Sequence, residues 1–171
     1  MKRLIKKASV YDVPEEFLFY WCSSPSDIKY NYPESIEKIA NENTDCIFSG
    51  DAYRYIELPN FEYQDKEIDQ LLKEAWDEVQ TVEKYSSFAS SKRGVEHFIT
   101  TDYRSFGIII EANVSGIDIK KLTNKYRDTV DEQVFEYADT EDEIVTLDVV
   151  DSWDIAAIVI EEEVEWIQSD I

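Results

Sequence analysis

A chain of 171 residues, 43% of them hydrophobic and 13% aromatic, can bury one good core, which excludes a disordered protein and favours a single domain over residues 1–171. Two cysteines without a CxxC pattern (Cys22, Cys46) and one histidine (His97) leave no Cys/His metal site, and no metal is expected. The net charge of −21 disfavours direct contact with nucleic acid, whose phosphates such a field repels.

No unbroken apolar run, Ile155 to Ile160 included, approaches the roughly 20 residues of a membrane-spanning helix. Met1 to Ser9 is basic but lacks the apolar core and cleavage site of a secretory signal. A soluble, cytoplasmic protein with no membrane partner is expected.

In chain order, residues 1–45 read as an N-terminal region of loop and short helix, ahead of a core over residues 46–171. Residues 10–33, rich in Pro, Ser and Tyr, read as surface loop, and Pro33 to Ala40 as a short helix with proline in its first turn. Cys46 to Ser49 and Tyr53 to Leu58 read as two strand pieces around a turn at Gly50-Asp51. Ile68, Leu71, Leu72, Ala75, Trp76, Val79 and Val82 recur at helical spacing and mark the clearest amphipathic helix.

Ser86 to Ser90 then reads as a strand start and Lys92 to Phe98 as a helical turn. Phe106 to Val114, with Ile108, Ile109 and Ile110, is a strong strand, and Ile117 to Tyr126 a helix with Ile117, Ile119 and Leu122 inward. Val130 to Tyr137 fits helix or loop. Glu143 to Val150 reads as a strand, and Ile155 to Trp166 as one or two more. Strands and helices alternate without a βαβ rhythm, which predicts an α+β domain on largely antiparallel sheet.

The charge is concentrated at the C-terminal end. Arg127 is the last basic residue, and the 44 positions after it carry 16 acidic side chains. Such a run is either a solubilising surface or an attraction for a basic partner.

Three distant segments carry chemistry. Arg54, on the strand CIFSGDAYRYIEL, offers a planar fork of donors suited to phosphate. In SSFASSKRGVEHF, small hydroxyl residues on a strand run into a helix N-terminus, where Ser90 or Ser91 is placed to cap the helix. In TEDEIVTL, Glu141 and Glu143 stand two apart before a β-branched run, so strand alternation puts both carboxylates on one face, where they can take different pKa values and tasks. Asp131-Glu132-Gln133-Val134 is a competing placement for that acidic motif. Tyr53, Tyr55 and Tyr85 flank these segments, and His97 reads as a partly exposed structural residue.

In that order, an arginine, a serine-rich strand and a Glu-x-Glu pair resemble the active site of the ADP-ribosyltransferase superfamily, over roughly Cys46 to Ile160. Phe88, Ser90, Ser91, Val95 and Phe98 are in register with that family's serine motif, and FGIIIEANVSGIDIKKL looks like the strand and helix of its phage and toxin members. The resemblance implies a mixed fold of two packed sheets with NAD, as co-substrate, in the cleft between them. Arg54 would bind phosphate or ribose, Phe88 pack near nicotinamide, and Ser90 or Ser91 hold the nicotinamide ribose. Glu143 would be the catalytic glutamate and Glu141 would orient or deprotonate the nucleophile, with arginine as acceptor. Ala89 stands where many members place the serine that hydrogen-bonds the glutamate, and a one-position shift gives Ser90 that role.

The implied activity is mono-ADP-ribosylation of a host protein with a basic or arginine-containing surface, by a phage or mobile-element protein acting in the host cytoplasm. The competing expectation is a non-enzymatic acidic protein that imitates nucleic acid and occupies a basic groove, with Glu161, Glu162 and Glu163 contributing.

Overall fold

The computed structural model describes residues 33–58, 70, 73, 81–102, 106–125, 140–161 and 163–167. Residues 1–32, most of the amphipathic stretch from Ile68 to Val79, and Val130 to Tyr137 with the competing acidic segment lie outside them. Within that amphipathic stretch Gln70 and Lys73 are described, and both are helical.

The fold is α+β, and the described residues form six antiparallel strands: β1 (Ile47–Glu57), β2 (Ser87–Ala89), β3 (Phe106–Asp118), β4 (Glu143–Thr146), β5 (Asp154–Ile160) and β6 (Glu163–Trp166). The helices bounded within the described residues are α1 (Pro33–Glu42), α2 (Lys92–Asp102) and α3 (Ile119–Lys125), with a 3-10 turn at Thr44–Cys46. Here α2 is a full helix of 11 residues where a single turn was expected.

The strand β3 organises the domain. Ile108, Ile109 and Ile110 are each at most 2% exposed, so this strand is covered on both faces, as a run of adjacent β-branched residues requires. Ile108, Ile110, Ala112 and Val114 join Ala52, Phe88, Ile144 and Trp153 in one apolar cluster. Ile109 lies in a second cluster with Tyr55, Ala89, Val95, Ile99, Ala157 and Val159, where α2 packs on the sheet.

At 13 residues, β3 serves two neighbours along one edge: β5 pairs with Phe106 to Glu111 and β4 with Gly116 to Asp118. Its other edge pairs with β1 from Gly107 to Ile117. Because β4 pairs with β2, and β2 touches β1 at Tyr53↔Ala89, the strands β1, β2, β4 and β3 form a closed circuit. The six strands are thus one hydrogen-bonded system rather than two separate sheets.

Several local expectations are corrected. Gly50-Asp51 is no turn: both lie inside continuous β1, opposite Val114 and Asn113, because β3 supplies ladder partners along the whole strand. The ring of Phe48 lies over the space that Gly50 leaves bare. Val82 leaves the helical stripe and exchanges two backbone hydrogen bonds with Val150, at 2.8 and 2.9 Å. The strand expected over Glu143 to Val150 stops at Thr146, and Ile117 belongs to β3 rather than to α3.

No described helix is long and apolar enough to cross a membrane. Cys46 is a free, buried thiol whose pKa is raised by that burial.

Candidate active site

A pocket of about 220 Å³ opens on the α2 side of the sheet, where β1 and β2 part. They pair only at Tyr53↔Ala89; continued antiparallel register would set Arg54 against Phe88 and Tyr55 against Ser87. Instead the Arg54 side chain spans the gap and donates from Nη1 to the Ser87 carbonyl at 2.7 Å. Tyr53, Arg54, Tyr55 and Glu57 of β1, Ser87 to Ala89 of β2, and Gly94, Val95 and Phe98 of α2 form the walls. Glu141 and Glu143 complete the lining.

The strand ladder determines which groups meet. Ala89 lies opposite Glu143 and Ser87 opposite Val145, so Ser87 and Glu143 are diagonal neighbours on one face. The Ser87 hydroxyl donates to Glu143 Oε1 at 2.8 Å. A continuous path runs from the Arg54 guanidinium, through the backbone and hydroxyl of Ser87, to the Glu143 carboxyl.

Electrostatics make these groups unusual. Glu143 is enclosed by protein, with some solvent contact through the pocket mouth, and this desolvation raises its pKa from 4.5 to about 7. The Ser87 hydrogen bond works against the rise, and the negative charge of Glu141 adds to it. Arg54 is also largely buried, and burial works against its charge. Among the described residues its hydrogen bond to Ser87 is its one partner, which leaves the remaining guanidinium N–H groups for an anionic or polar ligand.

The next residue, Asp142, behaves oppositely. Burial would raise its pKa, but hydrogen bonds from Ser91 and Arg93 and the charge of Lys120 outweigh this and hold it below the usual carboxylate value. Adjacent carboxylates are thereby driven apart, one poised near neutrality and one firmly ionised.

Arg54, Phe88, Glu141 and Glu143 all reach the pocket lining, while Ser90 and Ser91 do not. Ser91 caps α2, accepting the Gly94 N–H at 3.0 Å, and donates to Asp142 Oδ2 at 2.6 Å. Ser90 donates its backbone N–H to the Asp142 carbonyl at 2.9 Å. The strand hydroxyl that meets Glu143 is Ser87, so neither Ala89 nor Ser90 occupies that role. Phe88 lines the pocket although its side chain, 2% exposed, belongs to the core cluster.

Glu141 is placed by a different mechanism from strand alternation. It closes a helical segment of which Thr140 and Glu141 are described, and β4 starts only at Glu143. Tyr53 and Tyr55 line the pocket, with Tyr55 anchored through its hydroxyl to the Phe106 carbonyl at 2.9 Å. Tyr85 is elsewhere, donating to Glu37. His97 is exposed and outside the pocket lining.

Sequence reasoning passed over Ser87, Gly94 and Asp142. The available signal for Ser87 was the two-residue period: once Phe88 is committed to the core, Ser87 and Ala89 share the opposite face. No known family profile, curated protein or solved structure matches the chain.

Proposed function

We propose that this protein is an NAD-dependent mono-ADP-ribosyltransferase, cleaving the nicotinamide–ribose bond and transferring ADP-ribose to a protein side chain, arginine by preference. The observation that carries the reading is the path Arg54–Ser87–Glu143 at 2.7 and 2.8 Å, built from three segments distant in sequence and lining one pocket.

In this reading Arg54 receives the negative pyrophosphate or ribose end of the dinucleotide, which compensates a buried cation whose hydrogen bond among the described residues goes to the Ser87 carbonyl. The pocket is smaller than the roughly 300–1,000 Å³ typical of sites for drug-sized ligands, so it accepts the nicotinamide–ribose end and leaves the rest outside. Tyr53, Tyr55 and Phe98 supply apolar surface for that end.

The positive nicotinamide ring favours the ionised form of Glu143 on binding. As the C1′–N bond breaks, its electron pair passes to the nicotinamide nitrogen and positive charge develops on the ribose. The Glu143 carboxylate, fixed by Ser87, stabilises that charge. The acceptor nitrogen then attacks C1′ and loses its proton to Glu141.

The test is nicotinamide release and transfer of labelled ADP-ribose to protein in a bacterial lysate, with Glu143→Gln in parallel. Release and transfer lost in Glu143→Gln are expected. No release or transfer, with the variant indistinguishable from its parent, refutes the proposal.

A second reading rests on charge: Glu161, Glu163 and Glu165 are exposed around β6. An acidic inhibitor of a DNA-binding or defence protein would bind a basic groove in a salt-sensitive way. Such binding would survive loss of Arg54 or Glu143 and weaken on neutralising Glu161 and Glu163.

A further inference from the structure

We propose that Asp142 is a positioning residue: its carbonyl and carboxylate lock the turn that presents Glu141 and Glu143 to one pocket, with the start of α2 as anchor. The proposal rests on the transferase reading for its catalytic consequence, while the locking itself is a property of the fold.

The backbone conformation calls for such a lock. Asp142 has φ 47°, in the left-handed region. Outside glycine this conformation costs on the order of 1 kcal/mol and persists where the surroundings impose it. It reverses the chain between the helical end at Glu141 and the first strand residue, Glu143. Two carboxylates on different elements thereby line the same pocket.

The contacts that impose it converge on Asp142 from the segment leading into α2, from the first turn of α2 and from α3. Ser90 N–H donates to its carbonyl at 2.9 Å, and the Ser91 hydroxyl to Oδ2 at 2.6 Å. Arg93 Nη2 approaches Oδ2 at 3.3 Å and Lys120 Nζ, from α3, approaches Oδ1 at 3.6 Å. The Asp142 side chain is 12% exposed against 72% for Arg93 and 43% for Lys120. The short Ser91 bond therefore dominates, and the two cations are screened by solvent.

Gly94 makes the fit between helix and turn. A Cβ at this position would lie 2.4 Å from the Glu141 carbonyl oxygen, so the first turn of α2 sits directly on the turn backbone. Ser90 and Ser91 thus act on the site through Asp142, and Gly94 seats the helix on the Glu141 backbone beside it.

Asp142→Gly and Asp142→Asn separate the lock from the backbone conformation. Glycine adopts the left-handed turn freely but has no side chain to hold, whereas asparagine tolerates the turn and still accepts the Ser91 hydrogen bond. The expected results are a fall of about 100-fold in kcat for nicotinamide release by Asp142→Gly, with KM for NAD within about 3-fold, and substantial rescue in Asp142→Asn. Ser91→Ala should lose kcat in the same direction and serves if Asp142→Gly fails to fold.

The second readout is the titration of the Glu143 carboxyl by 13C NMR in the same variants. Its midpoint should move down in Asp142→Gly, as the loosened turn admits water, and stay in place in Asp142→Asn. If the parent releases no nicotinamide, the transferase reading fails, and the titration still decides the lock. A folded Asp142→Gly, or Ser91→Ala in its stead, with the parent's titration midpoint overturns the proposal, as does one with unchanged kcat where the parent is active.

Discussion

Replacing Glu143 with glutamine isolates the energetic cost of ionising a carboxyl inside the pocket. In the folded protein its pKa is raised from 4.5 to about 7, chiefly by desolvation. The native state therefore holds this proton more tightly than the unfolded chain. The resulting stabilisation is fully present below pH 4.5, declines as pH rises, and is exhausted above pH 7. A rise of about 2.5 units corresponds to roughly 3 kcal/mol, of which about 2.5 kcal/mol falls between pH 5 and pH 8. Glutamine does not titrate and can still accept the Ser87 hydrogen bond.

Urea denaturation of parent and Glu143→Gln from pH 5 to pH 8, above the isoelectric point of about 4.2, measures this difference while other titrations cancel. The variant should gain on the parent by about 2.5 kcal/mol across that range. Parallel stability curves, or a variant that loses ground as pH rises, would refute the account of Glu143 as a carboxyl destabilised by burial.

Other substitutions probe the same geometry. Ser87→Ala removes the hydrogen bond that favours ionised Glu143, so the Glu143 midpoint in 13C NMR should rise by about 0.5–1 unit, and an unchanged or lower midpoint contradicts the assignment. Arg54→Met replaces a buried cation by an apolar chain of similar length. It should leave the thermal midpoint unchanged or raised while abolishing NAD binding measured by calorimetry; a stability loss above about 2 kcal/mol would mean that Arg54 is a structural tie. Gly94→Ala forces a methyl against the Glu141 carbonyl and should cost about 1–3 kcal/mol in urea denaturation, with a neutral result denying the close fit.

The sequence carried the chemistry of individual segments. Three adjacent isoleucines announced a central strand, and that strand is β3, buried on both faces. The polar residues after the serine strand announced a capped helix, and Ser91 does cap α2. Arg54, Glu141 and Glu143 stood out by residue type and order, and all three line one pocket. Such features are local: hydrophobic period and cap chemistry act over a few residues and are written directly in the chain.

The tertiary structure decided which side chains meet. Gly50-Asp51 resembles a turn until 13-residue β3 supplies partners along all of β1. The sequence offered Ser90 and Ser91 as the site hydroxyls, but the pairing of Ala89 with Glu143 sets Ser87 on its diagonal and turns the other two toward Asp142. The near-neutral pKa of Glu143 likewise belongs to no local motif, because desolvation is the sum of everything packed around the carboxyl. Residue types determined what chemistry was available to this protein, and long-range register, with the burial it creates, determined where that chemistry is assembled.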